Sequence, residues 1–151
     1  MWTRPRWGKF FSLPLRRQRL LVEAAVCLGA ARLALAFLPF PKIGKYLGQL
    51  RPPAPESVVA GVDQATAKEI GWAVTRAATF LPFRAVCLPQ ALAAWQMLHM
   101  RRVPSRLHFG AAQAKEARKP LATHAWLDAN GVPVTGYPVA HEFVELGYFT
   151  R

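Results

Sequence analysis

A chain of 151 residues with 52% hydrophobic and 19% charged residues has the size and composition of one folded domain, which excludes a disordered tail. The formal charge of +12, from 20 Lys and Arg against 8 Asp and Glu, draws anionic partners at long range without choosing among them. Two cysteines, Cys27 and Cys87, are too few and too far apart for the disulfide framework of a small secreted domain. Neither has a Cys or His at zinc-site spacing, so a reducing compartment and no structural metal are expected.

Residues 1 to 19 carry Arg4, Arg6, Lys9, Arg16, Arg17 and Arg19 among Trp2, Trp7, Phe10 and Phe11, a basic and aromatic mixture suited to an interface. The apolar run from Leu20 predicts a helix to Leu38, stopped by Pro39 and Pro41. Glu23 and Arg32 within it argue for a soluble or surface-lying helix rather than a membrane span or a signal peptide. Residues 51 to 61, with three prolines, predict a linker between an N-terminal helical segment (1–50) and a core (62–151). Apolar positions Ile70, Trp72, Ala73, Ala77 and Phe80 predict an amphipathic helix from Gln64 to Phe80. Leu88, Leu92, Trp95 and Leu98, with Pro89 in the first turn, predict another from Leu88 to Met100. Period-two alternation at Leu107 and Phe109 predicts a strand, and Thr123 to Ala129 a second. Asn130-Gly131 is a type I′ hairpin signal leading into Val132 to Val134. Residues 111–120 read as an exposed connection, and Phe143 to Phe149 as a last strand. The fold class is α+β, a helix packed on a small antiparallel sheet.

The chemistry gathers at Cys87, directly before the predicted Leu88 helix. There its sulfur meets unpaired backbone N–H groups and the positive end of the helix dipole, an environment that favours the nucleophilic thiolate. The residues alone leave open an inert buried cysteine, the reading that fits Cys27 inside its apolar helix. His124 opens a strand expected to pack on the Cys87 helix and is the natural imidazole partner. His99, His108 and His141 read as ordinary, partly exposed histidines.

Three runs, Cys87-Leu88-Pro89-Gln90-Ala91-Leu92-Ala93, Val103-Pro104-Ser105-Arg106-Leu107-His108-Phe109-Gly110 and His124-Ala125-Trp126-Leu127 with Asn130-Gly131, carry a resemblance. In their order and spacing, from about residue 10 to the end, the chain resembles the lasso peptide biosynthesis B2 proteins, transglutaminase-like leader peptidases. The resemblance implies a papain/transglutaminase-like core and a cysteine peptidase with Cys87 as nucleophile and His124 as proton carrier. It implies removal of the leader from a ribosomally made precursor peptide, so that a separate ATP-dependent lasso cyclase can close the ring. The first 50 residues do not resemble the winged-helix leader-binding domain fused to some members, which implies a separate leader-binding protein as partner. No cofactor and no nucleic acid are implied. The implied location is cytoplasmic, with membrane-surface contact through the N-terminal helix open.

The pattern also places an acid on the strand after the hairpin, whereas Val134-Thr135-Gly136 stand there. Asp128 faces the same side as His124 but lies about 13 Å along the strand, within reach only if the strand bends. The orienting group is left among Thr135, a backbone carbonyl, Glu142, Glu145 or none. Two other readings stay open: a non-enzymatic basic adaptor for RNA or an anionic membrane, and another thiol acyl-transferase.

Overall fold

The computed structural model describes residues 8–55, 58, 63–113 and 121–151. After a single turn, α1 (Gly8–Phe11), the long helix α2 runs Leu15–Phe37. It begins five residues before the apolar run, because Pro14 presets the entry and Arg16, Arg17, Gln18 and Arg19 are good helix formers. It stops at Phe37 because Pro39 forces Leu38 into an extended conformation (φ −107°, ψ 138°). Pro41 then serves in the first turn of α3 (Phe40–Leu47), a helix that proline spacing hid from the sequence reading.

Helix α4 (Gln64–Ala78) is capped by Asp63, whose carboxylate accepts from the backbone N–H groups of Ala65 and Thr66 and from the Thr66 hydroxyl. Helix α5 (Cys87–Met100) buries Ala91, Leu92, Ala93, Ala94, Trp95, Met97 and Leu98. Such all-round burial makes it the central helix.

The sheet has five strands in the order β1-β5-β2-β3-β4. They are β1 (Gln49–Arg51), β2 (Arg106–Gln113), β3 (Leu121–Ala129), β4 (Val132–Thr135) and β5 (Val144–Thr150), every pairing antiparallel. Thus the α+β class and the small antiparallel sheet are as expected, and of the five strands among the described residues β1 is the one the sequence reading did not include. Residues 111–113 of the expected connection belong to β2, and 114–120 lie outside the described residues. The Asn130-Gly131 turn has φ of 50° and 80° at its two centres, the paired positive values of a type I′ hairpin.

Arg51, the first residue of the expected linker, ends β1 and pairs with Tyr148 of β5. Most of 52–62 lies outside the described residues. The segments on either side of that stretch share one core: Leu21, Ala24 and Leu28 of α2 are buried with Ile70 and Val74 of α4, Met97 and Leu98 of α5, and Leu107 and Leu127 of the sheet. Helix α4 lies close on β4, because Gly71 has no side chain. A Cβ there would stand 2.5 Å from the Val134 carbonyl oxygen.

Candidate active site

Cys87 is the first residue of α5, half-buried and free. Among the described residues no side chain caps this helix, and no acid occupies its first turn. The thiol therefore sits at an uncompensated positive helix end. Gln90 shapes the approach: its side-chain amide donates to the Ala85 carbonyl (2.6 Å) and its backbone N–H to the Val86 carbonyl (3.2 Å). The other cysteine has the opposite environment. Burial in α2, and then the nearby Glu23, push the Cys27 thiol above its ordinary pKa, with Arg101 opposing. Cys27 is thereby held as the neutral, poorly nucleophilic thiol.

His124 lies near the start of β3, on which α5 packs. Along β3, Ala125, Leu127 and Ala129 enter the core, while His124, Trp126 and Asp128 alternate to the other face. There the ladder sets Gly110 opposite His124 and His108 opposite Trp126. The His124 ring stacks against Trp126 (centroids 5.8 Å apart) and contacts Phe143 (5.2 Å). Its Nε2–H donates to the carbonyl oxygen of Gly136 at 2.7 Å, which leaves Nδ1 as the ring's lone-pair nitrogen. No hydrogen bond joins Cys87 to His124 among the described residues. Helix α5 packs on the core face of β3, whereas the His124 ring lies on the other face with Trp126, its tautomer selected by the carbonyl.

That carbonyl is the hydrogen-bond partner the structure gives the His124 ring. It comes from the stretch where the resembling family carries an acid, and Gly136 adopts φ +79° there. The other groups left open are engaged elsewhere or do not bond. Asp128 and Glu145 both hold His108, at 2.6 Å to Nε2 and 2.6 Å to Nδ1 respectively. The Thr135 hydroxyl is buried with no hydrogen-bond partner among the described residues, and Glu142 lies 3.5 Å from His141.

His108 corrects the reading of it as an ordinary, partly exposed histidine: it is 6% exposed. It stacks on Trp126 at 5.5 Å with the rings parallel. Burial would push its pKa down, but the hydrogen bonds to Asp128 and Glu145 outweigh it and raise the pKa above the ordinary imidazole value. With both nitrogens donating to carboxylates, the ring has no lone pair to offer. His108 therefore ties β2 to β3 and β5 and is unfit as a general base. Period-two alternation opposite Leu107 and Phe109 was the sequence signal for its outward side. The register that delivers Asp128 and Glu145 to it was not.

Cys87 at the start of α5 and His124 near the start of β3 both lie inside the residues that the family comparison matches. The model of the transglutaminase-like superfamily matches residues 25–146. The chain belongs to the transglutaminase-like superfamily. Searches of curated proteins and of solved structures return no match. The superfamily includes cysteine peptidases and acyl-transferases, both of which work through a thioester made by an activated cysteine. In this transglutaminase-like domain no group of His, Cys, Asp and Glu among the described residues is arranged to hold a metal ion.

Proposed function

We propose that this transglutaminase-like protein is a cysteine peptidase that releases the leader of a lasso peptide precursor, with Cys87 as nucleophile and His124 as its base and acid. The observation that supports the reading is the open N-terminus of α5 at Cys87, with His124 held by Gly136 on the neighbouring strand and its Nδ1 left as the lone-pair nitrogen. His124 Nδ1 takes the thiol proton as Sγ attacks the scissile carbonyl carbon. The C–S bond forms, and the carbonyl oxygen becomes an oxyanion to which the Cys87 N–H can donate. Collapse breaks the C–N bond, the imidazolium giving its proton to the leaving amine of the core. Water, deprotonated by the same imidazole, then hydrolyses the thioester and restores the thiol.

The motif order around Cys87, His124 and Asn130-Gly131 supports the lasso precursor as substrate. A separate leader-binding protein and an ATP-dependent cyclase are the partners that reading requires. The reaction would then take place in the cytoplasm. The test is incubation with the neighbouring precursor, leader-binding protein and cyclase. Wild type should release leader, while Cys87→Ala and His124→Ala should release none. Product masses showing an amine joined to the acyl fragment would assign acyl transfer instead. Absence of any cleavage by wild type with all partners present would reject the peptidase.

A further inference from the structure

Helix α2 has two apolar sides. Leu21, Ala24, Leu28 and Ala31 are buried against the domain. Opposite them Leu15, Val22, Val26, Leu33 and Phe37 are 64, 54, 66, 60 and 79% exposed. At 100° per residue these five fall within an arc of about 60°, a straight stripe along a helix about 35 Å long. Gly29 continues the stripe, and nothing lies within 4 Å of where its Cβ would be.

By length and composition this helix is able to cross a membrane. Its inner side prevents that. Glu23 makes a two-point ion pair with Arg101 of α5's C-cap (2.6 and 2.7 Å), Arg16 pairs with Glu69 of α4 (2.8 Å), and the Arg17 guanidinium covers Trp72 (4.9 Å). Leaving the domain would break these and expose Leu28, which is wholly buried. The outer stripe can meet a membrane only lying flat.

Charge selects the occupant. Arg19 projects at one margin of the stripe, and neither it nor Arg32 has a described carboxylate partner. A protein partner covering the stripe would have to bury the Arg19 guanidinium, whereas at a bilayer its stem lies along apolar surface and its head reaches phosphate. Beside the stripe, and sharing Val22 with it, a cavity of about 630 Å³ is lined by Phe10, Leu13, Leu21, Trp72 and Phe80. Arg17 and Arg76 lie over two of its aromatic rings. It combines room for an acyl chain with two cations at its wall. The whole chain's +12 adds attraction of the same sign. We infer that the outer face of α2 is a docking surface for an anionic phospholipid bilayer, on which the helix lies in the plane of the headgroups.

The test is co-sedimentation of the full chain with vesicles of phosphatidylcholine alone and of equal parts phosphatidylcholine and phosphatidylglycerol. Wild type is expected to bind the mixed vesicles far more tightly, and to be released at about 1 M salt, where the Debye length is about 3 Å. Val26→Ser/Leu33→Ser/Phe37→Ser should weaken binding at least about tenfold, as should Arg19→Gln/Arg32→Gln. All five side chains project to solvent, so an unchanged circular dichroism spectrum and Tm are expected to accompany the loss. Wild type remaining in the supernatant overturns the inference. So does a stripe variant that binds like wild type, which would mean adsorption by charge alone. A dimer in light scattering that the stripe variant dissolves would assign the face to a second copy instead.

Discussion

Gly136 shows how much a single residue decides here. Its left-handed backbone turns a carbonyl toward His124, and a Cβ would stand 2.5 Å from the Ala125 oxygen and 2.8 Å from the Trp126 Cα. Both are backbone atoms that cannot step aside. Gly136→Ala is therefore expected to lower Tm and to displace the carbonyl, reducing leader release by about a hundredfold, the order of loss that small misplacements of catalytic groups produce. The check is kcat measured well below the variant's own Tm, and a wild-type kcat there would deny the carbonyl its orienting role.

At the level of elements, β2, β3 and β5 are joined across their outer face by His108, Asp128 and Glu145, beneath Trp126 and Tyr148. The pKa of His108 is raised on folding. Its contribution to stability is therefore fully present below the ordinary value of about 6.5 and is lost as pH rises through the raised value. Urea midpoints should decline over that window in wild type and lose this component in His108→Gln. The imidazole NMR resonances of His108 should titrate with a midpoint above 6.5. A midpoint at or below 6.5 would contradict the carboxylate bracket. Removing Asp128 leaves His108 buried with only the half-buried Glu145 beside it and is expected to cost more than breaking the largely exposed Arg16–Glu69 pair, since surface pairs contribute only about 0–1 kcal/mol.

For the molecule as a whole, the N-terminal helix is a structural member of the transglutaminase-like domain. Leu28 of α2 is wholly buried, so Leu28→Ala is expected to cost about 2–5 kcal/mol. Because α2, α4, α5 and the sheet share one core, that loss should lower a single cooperative transition followed by circular dichroism and tryptophan fluorescence. Two separated transitions would show the N-terminal segment folding as its own unit. The superfamily match beginning at residue 25, inside α2, agrees with the shared core.

What the amino-acid order determined by itself is whatever a few neighbouring residues can enforce. Apolar period and Pro89 gave α5 its place with Cys87 at its start, the apolar period gave α4, and Asn130-Gly131 gave the hairpin, because turns and periodicities act within a turn or two of chain. Only the tertiary structure decided that β1 pairs with β5, that His108 is clasped by residues 20 and 37 positions away, and that Gly136 rather than a carboxylate holds His124. It also decided which apolar side of α2 stays outside, since both sides carry apolar residues and only packing on α4 and α5 tells them apart. These are matters of register and of long-range closure. A shift of one residue in β2 against β3 would send every side chain to the other face, and nothing local in the chain records which register is taken.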